Sequence, residues 1–173
     1  KDRHYKIESV AKTIISPLVF FTNKGYKSFK DIPNGSKIAI PNDATNEGRA
    51  LLILQNAGYI KLRPGSGLQA TPLDIVSNPK KLKFVEIEAP QLPHSLDDTT
   101  ASVINAGYAF AANLTKKDQI VAEDNTSPYV NIIAVKKGRE TDPSIVKYIE
   151  IFHTEPVKKF IEDKYKGQVV PAW

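Results

Sequence analysis

Lys37-Ile-Ala-Ile40 runs without a break into Pro41-Asn-Asp-Ala-Thr-Asn-Glu-Gly-Arg49, an apolar strand pattern followed directly by a helix start. The short run reads as a buried strand stopped by Pro41, whose missing N–H ends a ladder. Asn42 to Asn46 supplies several capping residues. Glu47 to Asn56 reads as a helix with Leu51, Leu52 and Leu54 on or near one face, and Gly58 stands where a helix C-terminal glycine belongs. A buried strand running into a capped helix is the repeating element of an α/β protein.

The same grammar recurs on both sides. Upstream, Leu18 to Thr22 is an apolar run of β-formers closed by the turn residues Asn23-Lys24-Gly25. Ser28 to Ile32 reads as a short helical turn, and residues 1–16 show no clear pattern. Downstream, Thr71-Pro-Leu-Asp74 has the composition of a capping box with proline at the first helical position, which predicts a short helix ending before Pro79. Leu82 to Glu88 alternates like a strand, Gln91 to Asp97 reads as a short helix, and Ala101 to Ile104 is a strand leading into a helix from Asn105 to Ala112. Strands follow at Ile120 to Ala122 and Tyr129 to Val135, then two helices, Pro143 to His153 and Glu155 to Tyr165. Alternating strands and helices predict an α/β fold with a mainly parallel central sheet.

Composition narrows the function classes. The chain has 173 residues, 41% hydrophobic and 25% charged, which is ordinary for a globular protein. It contains no apolar run long enough for a membrane span, and its first residues show no signal-peptide pattern. With no cysteine, disulfides, thiolate metal sites and cysteine nucleophiles are excluded. The net charge of +5 is spread along the chain without a basic stripe or aromatic platform, which argues against nucleic acid. The three histidines, His4, His94 and His153, lack metal-ligand spacing, and no cofactor motif is present. His94-Ser95 with Asp97 and Asp98 resembles a triad only as a set of residue types, since triads are not built from sequence neighbours and there is no nucleophile elbow. The chain reads as a non-enzyme.

Ligands of open α/β sheets bind beyond the C-terminal ends of strands, and two such places stand out. After Ile40, a polar loop leads to Arg49, which can make a two-pronged bond to a carboxylate near a helix start. After Ile104, Asn105 can offer an amide oxygen to an ammonium group or an amide NH2 to a carboxylate, with Tyr108 beside it as a pocket wall. A ligand carrying both groups is an amino acid. The same residues also fit a surface arginine and capping asparagines.

Taken together, Lys37 to Leu52, Ala70-Thr-Pro-Leu-Asp-Ile-Val76, Asn78-Pro79, Leu82-Lys-Phe-Val-Glu86 and Gln91-Leu-Pro93 resemble the NlpA lipoprotein family, the methionine-binding lipoproteins of bacterial ABC importers. The likeness continues through Val103-Ile-Asn105, Tyr108-Ala109, Ser127-Pro-Tyr-Val-Asn-Ile-Ile133, Val157-Lys-Lys-Phe-Ile161 and Val169-Val-Pro-Ala-Trp173. It covers residues 17 to 173. The resemblance implies a type II periplasmic-binding-protein fold whose lobes close on methionine, an ABC permease as partner, and a place at the outer face of the membrane. It implies ligand contacts from Arg49, Asn105 and Asn131, with Asn46 and Tyr108 beside them. Asn131 enters only through the resemblance; an asparagine inside an apolar strand would need its amide satisfied, which suits a ligand-facing place.

On the same basis, residues 1–25 are expected to be a partial first-lobe or crossover segment, 26–135 the second lobe, and 136–173 helices that return to the first lobe. The family's first-lobe segment and lipid anchor are not matched here, so binding is expected to be weakened and a homodimer through the incomplete lobe is expected. The alternatives are a related ligand, D-methionine or a methionine-containing dipeptide, or a surface or interaction protein on the same scaffold.

Overall fold

The computed structural model describes residues 5–123 and 129–173. Its strands and helices are, in chain order, β1 (Ile7–Lys12), β2 (Ile14–Ile15), β3 (Leu18–Phe21), β4 (Lys37–Pro41), α1 (Asn46–Asn56), β5 (Lys61–Leu62), β6 (Ile75–Ser77), β7 (Lys83–Ile87), α2 (Leu92–Ser95), β8 (Ala101–Asn105), α3 (Ala106–Ala111), β9 (Gln119–Ala122), β10 (Ile132–Lys136), α4 (Pro143–Phe152), α5 (Glu155–Tyr165) and β11 (Val170–Pro171). They fall into two units, Pro17–Asp124 and the terminal stretches Lys1–Ser16 with Asn125–Trp173. The sequence reading divides the chain after residues 25 and 135; in the structure β3 belongs with the central unit and β10 with the terminal one.

The central unit is built on a five-stranded sheet in the order β7-β4-β8-β3-β9. β4 pairs in parallel with β7 and with β8, while β3 runs antiparallel between β8 and β9, so four of the five strands point the same way. Side chains alternate between the two faces. Leu18, Phe20, Ile38, Ile40 and Val103 join Leu51 and Leu54 of α1 in one core. Val19, Phe21, Ala39 and Ile104 join Leu92, Leu96 and Ala109 in the other. Both faces are covered, which explains why these strands read as continuous apolar runs instead of alternating ones. Each buried Val, Leu, Ile or Phe among them contributes about 1.5–3 kcal/mol.

Glycine 48 makes the contact between α1 and the neighbouring turn possible. A Cβ at this position would lie 2.2 Å from the Leu68 carbonyl oxygen and 2.7 Å from its carbon, on the helical turn Gly67–Gln69. The glycine of Asn-Glu-Gly-Arg is therefore a packing requirement, since only a residue without Cβ allows the two backbones this close.

The predicted helix after Thr71 is not formed. The capping box is there: the Thr71 N–H and hydroxyl donate to Asp74 Oδ2 at 3.0 and 3.2 Å. Only the turn Pro72–Asp74 follows it, and Ile75–Ser77 extends to pair antiparallel with β5. Leu73 and Val76 are exposed, so a helix here would have had no apolar face to bury, and β-branched Ile75 and Val76 favour the strand.

In the terminal unit β1 pairs antiparallel with β10, from Ile7 opposite Lys136 to Lys12 opposite Ile132, with an irregularity between Ser9 and Ala11. β2 pairs with β11. Residues 1–16, unreadable in isolation, thus contain a strand whose partner lies more than a hundred positions away. The last residue, Trp173, stacks on His153 with ring centres 4.9 Å apart and donates from Nε1 to the His153 carbonyl at 3.2 Å. His153 Nε2 donates to the Lys12 carbonyl at 2.8 Å, which ties the end of α4 to β1. No helix among the described residues is long and apolar enough to cross a membrane.

Candidate functional site

The C-terminal ends of β4, β8 and β9 lie at one end of the central sheet and carry the polar residues. From β4 the chain passes through Asn42 to Thr45 into α1, whose first helical residue is Asn46. The Asn46 side-chain NH2 donates to both carboxylate oxygens of Asp43, at 3.1 Å each, and its backbone N–H donates to Asp43 Oδ1 at 3.1 Å. Because the amide nitrogen is held by a carboxylate, the Asn46 amide oxygen must face away from Asp43. It accepts from Asn105 Nδ2 at 3.3 Å.

This relay fixes the orientation of Asn105. Its NH2 is spent on Asn46, so its oxygen points elsewhere, and Asn105 Oδ1 is buried without a hydrogen-bond partner. Asn105 also stands at the cap position just before α3, yet its side chain makes no capping bond to that helix. A buried acceptor without a donor is costly, and an ammonium group would satisfy it. The network thus leaves the Asn105 amide oxygen, and not its NH2, as the group without a partner.

Arg49 lies in the first turn of α1 and is buried. Its Nε donates to Glu123 Oε1 and Oε2 at 2.9 and 3.0 Å, and its Nη2 is in direct ion-pair contact with Oε2. Both side chains are close to fully buried, at 8% and 10% exposure. Glu123 directly follows β9, and the Leu18 N–H also donates to its Oε2, at 3.1 Å, while the Glu123 N–H donates to the Leu18 carbonyl at 2.9 Å. The pair therefore fastens the start of α1 to the β3–β9 edge. Burial, then the neighbouring carboxylates Glu86 and Asp43, raises the Glu47 carboxyl above its ordinary value.

Of the five residues expected to meet a ligand, Asn46 and Asn105 are joined directly, and Arg49 stands one helical turn on from Asn46. Tyr108 is in the first turn of α3, 41% exposed. Asn131 belongs to the terminal unit. It lies just ahead of β10 instead of within a strand, its backbone bonded to Thr13 and Ile14, and it is exposed. The desolvation argument for Asn131 fails for that reason. Ser127 and Pro128 of the motif around it lie outside the described residues.

Glu123 is the residue that sequence reasoning missed. A signal was present: it is the first polar residue after the apolar run Ile120 to Ala122, as Asn105 is after Val103-Ile104. The His94-Ser95 set does not form a triad. The Ser95 hydroxyl donates to the Leu92 carbonyl at 2.6 Å and lies 3.4 Å from Ser102 Oγ.

Comparison with known proteins places this geometry in context. The chain is 45% identical to the D-methionine-binding lipoprotein MetQ of Salmonella typhimurium over 176 aligned positions, which cover all of this chain and 65% of that protein. It is 48% identical to a nutrient binding protein from Burkholderia cenocepacia, solved bound to methionine, with a TM-score of 0.90 over 99% of this chain and 73% of that one. It is 40% identical to the substrate binding protein of a methionine transporter from Streptococcus pneumoniae, with a TM-score of 0.86 over 99% of this chain and 70% of that one. The expected periplasmic-binding-protein-like α/β fold is the fold of these substrate-binding proteins. The family model described as NlpA lipoprotein matches residues 1–173, and the chain belongs to the NlpA lipoprotein family.

Proposed function

We propose that the protein captures methionine at the outer face of a bacterial membrane for an ABC importer, as a binding protein and not an enzyme. The observation that carries this reading is the orphaned, buried Asn105 Oδ1 at the end of β8, beside the helix that carries Arg49. An amino acid supplies an ammonium for the first and a carboxylate for the second. In this reading the Arg49 guanidinium, held in place by Glu123, attracts the ligand carboxylate. Asn46 acts through Asn105, and Tyr108 completes the contacts that this unit offers. One relative is a D-methionine-binding lipoprotein and another was solved bound to methionine, which supports this ligand class.

Isothermal titration calorimetry of the purified chain with L-methionine and D-methionine tests the reading. A saturable one-to-one isotherm with either enantiomer, accompanied by a raised melting temperature, is the expected result. Neither heat nor a thermal shift with either enantiomer or with a methionine-containing dipeptide refutes it.

The expected homodimer also stands as a proposal. Helix α4 has no buried residue although it is apolar on several sides, with Val146, Tyr148 and Ile151 exposed, and a second copy would cover that face.

A further inference from the structure

We propose that Glu123 is the counter-charge that makes the site select a zwitterion over a simple carboxylate anion; this rests on the amino-acid-binding function proposed above. Arg49 and Glu123 are buried charges at this end of the sheet and, taken as a pair, carry no net charge. An incoming anion is attracted by the guanidinium and repelled by the carboxylate bound to it, and the two effects nearly cancel. A ligand that brings its own ammonium escapes that balance.

The geometry says where the ammonium would gain. Leu18 stands opposite Asn105 across β3 and β8, and on its other side it exchanges hydrogen bonds with Glu123. Asn105 and Glu123 are thus two strand spacings apart, about 10 Å between backbones. At that separation, behind buried apolar side chains, a full charge still acts. Glu123 therefore adds a favourable field at the place where Asn105 Oδ1 waits for a donor. Asp43 and Glu47 have the same sign, but Asp43 is exposed and Glu47 is only partly buried, so water screens both more than it screens Glu123.

The test compares L-methionine with 4-(methylsulfanyl)butanoate, which has the same side chain and carboxylate without the α-amino group. Affinities for both are measured calorimetrically on the parent chain and on Glu123→Gln and Glu123→Asp. Glutamine keeps an oxygen to accept from the Leu18 N–H and removes only the charge. The parent is expected to favour methionine by about 100-fold or more. Glu123→Gln is expected to narrow that ratio by about tenfold or more, with the anion gaining relative to methionine, while Glu123→Asp keeps most of it. A folded Glu123→Gln with the parent's ratio overturns the proposal and leaves methionine binding intact. Equal narrowing by Glu123→Asp overturns it as well. If Glu123→Gln does not fold, Asn105→Ala decides: a preference for methionine still about tenfold without the Asn105 oxygen supports the proposal, and a ratio near one overturns it. A parent that binds neither compound overturns both this proposal and the function on which it rests.

Discussion

The Arg49 guanidinium and the Glu123 carboxylate, 74 positions apart in the chain, form a bidentate pair in which Nε lies 2.9 and 3.0 Å from the two carboxylate oxygens. Because both side chains are nearly buried, neither can be altered without leaving the other's charge in a poorly solvated place. The pair is at once a fastening between α1 and the β3–β9 edge and the charged part of the proposed binding site.

Arg49→Ala is expected to abolish methionine binding and to destabilise the chain by about 3–5 kcal/mol, the cost of breaking a buried pair from one side. The double variant Arg49→Met with Glu123→Leu is expected to recover most of that stability without recovering binding. Urea denaturation and calorimetry on the two variants check both statements. An Arg49→Ala chain that is as stable as the parent would show that Glu123 is solvated.

Asn105→Ala removes the orphaned oxygen and gives up one long amide contact to Asn46, of 3.3 Å. Stability is expected to stay within about 1 kcal/mol of the parent. Methionine affinity is expected to fall by about 10- to 100-fold, corresponding to the loss of one hydrogen bond to a charged group. Equal affinities for the variant and the parent would remove Asn105 from the site.

Gly48→Ala would place a methyl group 2.2 Å from the Leu68 carbonyl oxygen. The obstacle is backbone, which cannot rotate aside, so the variant is expected to lose about 1–3 kcal/mol despite alanine's better helix propensity. A thermal melt decides: an unchanged or raised melting temperature would mean that the Gly67–Gln69 turn moves away at little cost.

The Asp142 carboxylate, which caps α4, is held well below the usual aspartate range by the Ser144 hydroxyl, by Arg139 and by the Ser144 N–H. A folded-state value below the unfolded 3.8 means stabilisation that is fully present above that pH and is lost as pH falls through the folded value. Asp142→Asn is therefore expected to melt below the parent at neutral pH, with the gap closing progressively once the pH drops below 3.8. Circular-dichroism melts of both chains between neutral and strongly acidic pH read this directly. A gap that is constant with pH would show that the cap does not depend on the charge.

If a second copy covers α4, sedimentation of the parent is expected to show a dimer, and Ile151→Glu is expected to shift it to monomer without lowering the melting temperature of the monomer. A monomer at every concentration refutes the dimer.

The local grammar of this protein was set by its sequence alone. Lys37 to Ile40 followed by a capped helix, and Ala101 to Ile104 followed by Asn105, are legible because period, capping residues and terminal glycine all act within a few residues of each other. Those patterns placed Arg49 and Asn105 beyond strand ends, and the family resemblance added Asn46. The tertiary structure decided what these residues touch. The antiparallel insertion of β3 between β8 and β9, and the pairing of β1 with β10, join segments far apart in the chain. The helix expected after Thr71 gave way to a strand because no apolar face was available to bury it. Glu123 found Arg49, and Asn105 turned its oxygen away from Asn46, because a buried charge must be paired and each amide must match donor to acceptor with the neighbours that the fold supplies. Those requirements belong to the assembled interior, and no stretch of sequence contains them.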